Sequence, residues 1–95
     1  QLINRSPHVL ESLVYGRRDN GSEELHAIVA ADAEAFERDA GAPDDGEVER
    51  IVRAEVTEAL RGIAAYKRPR AIRIEREELE KTSTQKIKRF LYTAR

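Results

Sequence analysis

A short segment near the end of the chain, residues 81–89 (KTSTQKIKR), combines basic and hydroxyl side chains. Its cations, with one more just upstream, are Lys81, Lys86, Lys88, Arg89 and Arg76, and between them lie Thr82, Ser83 and Thr84. A lysine ammonium acts as a point charge against a phosphate, and Ser or Thr hydroxyls donate hydrogen bonds beside it. This composition predicts either a site that meets a phosphate or a solvated helix start, in which the three hydroxyl residues cap the last helix.

Other kinds of catalytic site are disfavoured by the rest of the sequence. The chain has no cysteine, and its two histidines, His8 and His26, stand in different predicted elements without a second ligand at helical spacing. Ser83 and Thr84 have no histidine nearby, and no G-x-S-x-G segment exists. The five glycines form neither G-x-x-x-x-G-K nor G-x-G-x-x-G. A metal site, a nucleophilic triad and a glycine-rich phosphate loop are therefore not predicted.

The charges of the chain are strongly segregated, although its net charge is only −1. Residues 1–60 carry 6 Lys/Arg against 14 Asp/Glu, whereas residues 61–95 carry 11 against 4. The basic third either faces an anion or attracts the acidic part of the same fold. Nucleic acid is not the expected partner, because only Tyr66, Phe90 and Tyr92 supply aromatic rings there. No run of roughly 18 apolar residues predicts a membrane span.

The elements that must position the basic segment predict one small α+β domain of 95 residues, with a sheet of about three strands and helices packed against it. Strands are expected at 9–15, ended by Gly16, and at 24–31, where alternation puts His26 on the less buried face. The residues between them predict a hairpin with a long loop that carries Arg17 and Arg18.

Two helices, a third strand and a closing helix complete the prediction. A short helix is expected at 32–41, with Asp32 as its N-cap and Gly41 as its stop. A long amphipathic helix follows, opened by Asp44 and Glu47 in capping-box spacing and packed across one face of the sheet. Alternation predicts a strand at 70–75. The segment 86–92 (KIKRFLY) predicts a last helix with an apolar side, formed by Ile87, Phe90 and Leu91.

Three segments, in this order along the chain, resemble the C-terminal domain of the adenylate-forming enzymes, the superfamily of acyl-CoA synthetases and peptide-synthetase adenylation domains. "SPHVLESLVYGRRD" is similar to the family pattern H-P-x-V-x-E-A-x-V-x-G-x-x-D at Pro7, Val9, Glu11, Val14, Gly16 and Asp19. "AAYKRPRAIRI" and "LEKTSTQKIKRFLY" resemble Y-K-x-P and L-P-K-T-x-x-G-K-I-x-R at Tyr66, Lys67, Pro69, Leu79, Lys81, Thr82, Lys86, Ile87 and Arg89. Two departures are Glu80, where the family has proline, and Gln85, where it has glycine and where we expect an altered backbone or an earlier helix start.

The resemblance implies that the chain is a piece of a longer enzyme, whose large N-terminal domain binds most of ATP and Mg²⁺. It implies that Lys86 is the catalytic lysine of acyl-adenylate formation, on a mobile domain that then rotates to support thioester formation with coenzyme A. The expected cofactor-binding residues are Thr82, Ser83, Thr84, Arg17, Arg18 and Lys67. The segment around Lys86 looks most like long-chain fatty acyl-CoA ligases of bacteria, which implies a cytoplasmic enzyme with peripheral membrane association as a further expectation.

Two alternatives remain open at this stage. Within the family, the acyl group could pass to the thiol of a carrier protein instead of coenzyme A. Outside it, the domain could be a non-catalytic module whose basic end docks RNA or an acidic protein.

Overall fold

A three-stranded mixed sheet with helices on one side forms the core of the protein, in a computed structural model that describes residues 2–19, 21–41, 43–64 and 67–93. A 3-10 turn (Ile3–Arg5) precedes β1 (Val9–Asp19), β2 (Ser22–Ala31), α1 (Ala33–Ala40), α2 (Asp45–Ala59), β3 (Ala71–Glu75) and α3 (Phe90–Thr93). The strand order is β1-β2-β3, with β1 antiparallel and β3 parallel to β2. A parallel pair requires a crossover connection, and α1 and α2 provide it. The predicted fold class and element order are confirmed.

The β1–β2 hairpin is longer, and its turn tighter, than predicted. Its register continues through the pairs Gly16–Leu25, Arg17–Glu24, Arg18–Glu23 and Asp19–Ser22. Gly16 therefore does not end β1, and Arg17 and Arg18 lie in a strand and not in a loop. Asn-Gly at positions 20 and 21 is the strongest short hairpin signal, and Gly21 has the positive φ of 80° that such a turn needs.

Both central helices begin where the sequence predicts. The Asp32 carboxylate accepts a hydrogen bond from the Ala35 backbone N–H at 3.2 Å, and Gly41 ends α1 with a φ of 67°. The Asp44 carboxylate accepts from the Glu47 N–H at 2.9 Å. Each N-cap satisfies one of the backbone donors that a helix start leaves unpaired.

Helix α2 covers one face of the sheet, as predicted. Its stripe of Val48, Val52 and Val56 is fully buried against the apolar residues of that face. Those residues are Ile3, Val9, Ala27, Val29, Ala31 and Phe36. The connection from α2 to β3 includes Tyr66, one of the residues of the family resemblance, which lies outside the described residues.

The opposite face of the sheet is also covered, which the alternation of β2 did not predict. Leu13, Ile28 and Ala30 form a second buried cluster there with Leu79, which is 2% exposed. His26 thus lies on a face that is buried along most of β2. The segment 79–92 covers this face, since Leu79, Ile87 and Tyr92 all pack on the cluster.

The final helix is much shorter than predicted. It spans only Phe90–Thr93, and Ile87 instead forms an antiparallel bridge with Lys81. Of the three residues predicted on its apolar side, only Ile87 packs on the core, while Phe90 is 64% and Leu91 47% exposed. The helical prediction for 86–89 is wrong because the backbone of this stretch is engaged in a chain reversal.

Candidate functional site: the loop that carries Lys86

The backbone of residues 82–86, called the 82–86 loop below, reverses direction through a defined set of hydrogen bonds. The bridge between Lys81 and Ile87 closes its base. Within it, the Thr82 N–H donates to the Lys86 carbonyl at 2.8 Å, and the Gln85 N–H donates to the Thr82 carbonyl at 2.9 Å. The loop therefore has a specific shape, which fixes where its side chains start.

The three hydroxyl residues belong to this loop and not to a helix cap. Helix α3 begins at Phe90, so the prediction that Thr82, Ser83 and Thr84 cap the last helix is wrong. The Thr82 hydroxyl instead accepts a hydrogen bond from the Lys86 N–H at 3.3 Å and lies 3.0 Å from the Thr84 hydroxyl. One hydroxyl thus holds the loop together, and all three residues are exposed.

Gln85 adopts the backbone conformation that glycine favours. Its φ is 67°, in the left-handed region, and it is the one non-glycine residue of the described chain with a positive φ. The expected earlier helix start at Gln85 is therefore wrong: the residue is part of the turn and donates its N–H to the Thr82 carbonyl. The left-handed conformation costs a non-glycine residue roughly 1–2 kcal/mol.

Lys86 presents an unpaired charge at the end of the loop. The residue is exposed, and no described residue makes a hydrogen bond or ion pair with its ammonium. Its backbone, in contrast, is bonded to Thr82 through both its N–H and its carbonyl. A fixed backbone with an unoccupied ammonium is suited to an anion that comes from outside this domain.

Lys81, in the same segment, has the opposite environment. Its side chain is only 16% exposed, and its ammonium lies 2.7 Å and 2.8 Å from the two carboxylate oxygens of Glu11 on β1. It also donates to the Glu78 carboxylate at 2.8 Å and to the Leu79 carbonyl at 3.2 Å. Partial burial acts to lower the pKa of Lys81, yet the hydrogen bonds with Glu11 and Glu78 outweigh it and raise the pKa above 10.5.

The remaining cations of the segment divide in the same way. Arg76 is paired with Asp45 at the start of α2, so its charge serves the fold. Lys88 and Arg89 have no hydrogen-bonded or ionic partner for their side chains in the described part of the chain. The basic cluster predicted from sequence thus consists of two lysine or arginine residues that bind acidic neighbours and three that do not.

The other predicted binding residues lie elsewhere on the domain. Alternation along β1 places Arg17 on the face of Leu13 and Tyr15, the face that segment 79–92 covers, and Arg18 on the opposite face. Lys67 lines an apolar cavity of about 230 Å³ on the α2 side of the sheet. The cavity is otherwise bounded by Leu2, Ile3, Val14, Leu60, Ile63 and Pro69. The structure therefore does not bring Arg18 or Lys67 to the 82–86 loop.

Sequence reasoning missed Glu11, the partner of Lys81. Both residues occur in the segments that carry the family resemblance, but 70 positions separate them. The one local signal was the presence of a glutamate within the predicted strand 9–15. Among the described residues, no group of three or more His, Cys, Asp or Glu side chains is arranged to hold a metal ion. No helix of this part of the chain is long and apolar enough to cross a membrane.

Comparisons with known proteins agree on one family. Residues 1–86 match the family model described as AMP-binding enzyme C-terminal domain. A search of curated proteins finds no significant match.

Solved structures share this fold over nearly the whole chain. A benzoate CoA ligase from Burkholderia xenovorans LB400 is 29% identical with a TM-score of 0.62, over 97% of this chain and 17% of the ligase. The anthranilate CoA ligase AuaEII, solved with anthranoyl-AMP, is 30% identical with a TM-score of 0.63, over 98% of this chain and 16% of its own. An acyl-CoA synthetase from Brucella canis is 26% identical with a TM-score of 0.63, over 98% and 15%. The chain thus spans about one sixth of the length of these proteins.

Proposed function

This chain belongs to the family of AMP-binding enzyme C-terminal domains, and we propose that it is the C-terminal domain of an ATP-dependent acyl-CoA ligase in which Lys86 serves acyl-adenylate formation. The observation that carries the proposal is the contrast between two lysines of one segment. Lys81 is fully engaged by Glu11 and Glu78, whereas the Lys86 ammonium has no partner among the described residues. An ordered loop with one unpaired ammonium is suited to meeting a phosphate.

The first step needs a positive charge for a simple reason. A carboxylate oxygen of the acid attacks the α-phosphorus of ATP, the bond from that phosphorus to the bridging oxygen breaks, and pyrophosphate leaves. An anion thus approaches an anion, and negative charge builds on the phosphoryl oxygens in the transition state. The Lys86 ammonium, held by the loop backbone, stabilises that charge without forming a covalent bond. The thiol of coenzyme A then attacks the acyl carbon and AMP leaves.

This chain supplies only part of the binding site. Its residues fit a phosphate through Lys86, with exposed hydroxyl residues in the same loop, but they offer no cluster of carboxylates for Mg²⁺ within the described ranges. We therefore assign ATP, Mg²⁺ and the acid mainly to a large N-terminal domain of the same protein. Rotation of this domain against that one separates adenylation from thioester formation, and we place the enzyme in the cytoplasm.

For coenzyme A, we favour one of the predicted cofactor-binding side chains. Arg17 lies on the sheet face that carries the 82–86 loop and has no ion-pair partner in the described chain. We assign it to a coenzyme A phosphate, while Arg18 and Lys67, on the α2 side, belong to a different surface.

The acid substrate has two candidates. The sequence of the loop segment resembles long-chain fatty acyl-CoA ligases, and a fatty acid is our first candidate. The benzoate and anthranilate ligases, at 29% and 30% identity, favour an aromatic acid as the second.

Acid-dependent ATP–pyrophosphate exchange by the full-length protein tests the proposal. We expect Lys86→Ala to slow exchange by about 10²–10³, the usual effect of removing one preorganised charge donor, while preformed acyl-adenylate is still converted to thioester. Lys88→Ala, which removes another unpaired cation two positions away, is the matched control and should leave exchange within a factor of about three, as expected of a group outside the transition state.

A panel of fatty and aromatic acids, each offered with coenzyme A and with a carrier protein, identifies the acid and the acceptor. Exchange by Lys86→Ala at the rate of the unmodified protein would show that Lys86 is an ordinary surface charge. Equal losses in both lysine variants would show that only the summed charge matters.

A further inference from the structure

We propose that Glu11 is a positioning residue for the reaction, because it holds Lys81 and thereby the loop that aims Lys86. This inference deepens the proposed function and rests on it for its catalytic consequence. Its structural part, that Glu11 holds the 82–86 loop, stands on the contacts alone.

Glu11 is bound to the start of the loop segment at two points. Its two oxygens lie 2.7 Å and 2.8 Å from the Lys81 ammonium, and one of them also accepts the Leu79 backbone N–H at 2.8 Å. The Glu11 side chain is only 15% exposed. An ion pair that is partly shielded and shared with a backbone donor is stronger than an exposed one, because water screens it less.

The Glu11 carboxylate is the contact that links this end of the loop to strand β1 through charge. Lys81 forms the bridge with Ile87 that closes the loop base, and Ile87 packs on the buried cluster of Leu13 and Ile28. Ile87 is therefore held by apolar packing, and the Lys81 side is held by the Glu11 carboxylate together with the buried Leu79 and the Glu80 carbonyl, which accepts the Lys88 N–H at 2.8 Å. Inside the loop the side-chain contacts are exposed and local, between Thr82 and its neighbours.

Loss of the Glu11–Lys81 pair should affect adenylation and not thioester formation. If the pair is broken, the Lys81 side of the bridge loses its ionic link to β1, and the backbone that fixes Lys86 is held less firmly. A misplacement of about 1 Å at a catalytic group can reduce the rate about 10²-fold. In the proposed function the Lys86 ammonium serves adenylation and not thioester formation, so thioester formation should not respond.

The test compares Glu11→Gln with Glu58→Gln in the full-length protein. Glutamine keeps the size of Glu11 and an acceptor for the Leu79 N–H but removes the charge. Glu58 on α2 is the matched control, since it forms an ion pair with Arg61, just beyond the helix, and the two side chains are 69% and 73% exposed. We expect adenylation to fall about 10- to 100-fold in Glu11→Gln, with thioester formation from preformed adenylate unchanged, and neither to change in Glu58→Gln.

Two further measurements separate positioning from general destabilisation. Amide hydrogen exchange at Thr82, Gln85 and Lys88 should become faster in Glu11→Gln, while the amides of α2 keep their protection. A cycle with Lys81→Met should be non-additive, the double variant being no slower than Glu11→Gln alone, because both changes break one unit.

These experiments distinguish a positioning role of Glu11 from a purely structural one. Equal losses in both half-reactions, or faster exchange throughout the domain, would make Glu11 a structural residue only. Unchanged adenylation with unchanged loop exchange would overturn the proposal. If the unmodified protein forms no adenylate from any acid, the proposed function fails, and hydrogen exchange in the loop alone then decides whether Glu11 holds it.

Discussion

The turn residue beside Lys86 gives a testable prediction, because the chain also contains a glycine with the same backbone conformation. Gln85 and Gly41 have the same φ of 67°, one with a side chain and one without. The left-handed conformation costs a non-glycine residue roughly 1–2 kcal/mol. Replacing this residue by glycine removes the strain but lowers stability by about 0.4–1 kcal/mol, because glycine increases the conformational entropy of the unfolded chain.

We therefore expect Gln85→Gly to raise the free energy of unfolding by about 0.5–1 kcal/mol, the difference between these two terms. The reverse change, Gly41→Gln, should lower it by a similar amount. Side-chain contacts should contribute little to either change. The Gln85 side chain has no hydrogen-bonded partner in the described chain, and a Cβ placed on Gly41 meets no atom of another segment within 4 Å.

Urea denaturation followed by circular dichroism measures both variants against the parent. Opposite shifts of similar size support backbone strain as the only difference between the two sites. A loss of stability in both variants would refute the reasoning, since it would mean that the Gln85 side chain contributes more than its backbone costs. The adenylation rate of Gln85→Gly then shows whether Lys86 requires a conformationally restricted residue before it.

Two other expectations concern the core and the ion pair. Val52 is 0% exposed, so Val52→Ala should lower the free energy of unfolding by about 2–3 kcal/mol through lost apolar burial and a cavity. Thr57→Ala, at an exposed site on the same helix, should change the free energy of unfolding by less than about 0.5 kcal/mol. Equal effects of the two substitutions would mean that α2 does not pack as described. Because the pKa of Lys81 is raised above 10.5, its stabilisation is complete below that pH and is lost as the pH rises through the raised pKa. The difference in unfolding free energy between the parent and Lys81→Met should therefore shrink in alkaline urea titrations, and a constant difference up to about pH 12, well beyond an ordinary lysine pKa, would contradict the pairing.

The parts of the fold that local rules govern could be predicted from the sequence. Asp32 and Asp44 cap their helices, Gly41 ends the first, and the valine stripe of α2 packs on the sheet. These features depend on residues a few positions apart. The predicted strand end at Gly16 is wrong because pairing continues to Asp19, next to the Asn-Gly sequence that is the stronger turn signal.

The second face of the sheet could not be predicted, since it depends on contacts between distant segments. Leu79, Ile87 and Tyr92 reach β1 and β2 from the far end of the chain. The spacing of Ile87, Phe90 and Leu91 is compatible with a helix, but Ile87 instead packs in one cluster with Leu79 and forms a bridge with Lys81. Local periodicity therefore favoured an element that tertiary contacts overrule.

The roles of the charged residues in the site also depend on contacts with distant segments, so the sequence of the segment alone does not predict them. Lys81 and Lys86 are both lysines of one basic segment, and nothing in the segment itself distinguishes them. Their difference comes from Glu11, which belongs to β1 and shields one of the two from any external anion.

The order of the 82–86 loop is itself an argument for its function. Fixing the backbone of one residue costs about 1–2 kcal/mol of conformational entropy, so a disordered loop would bear this cost for several residues whenever Lys86 met its anion. Here the bridge, the Thr82 hydrogen bonds and the Glu11 contact impose that order during folding. Only the lysine side chain then remains to be ordered at the phosphate. A charge that acts in a transition state is effective to the extent that it needs no reorganisation at that moment. The held backbone of the 82–86 loop limits this reorganisation for the exposed side chain of Lys86.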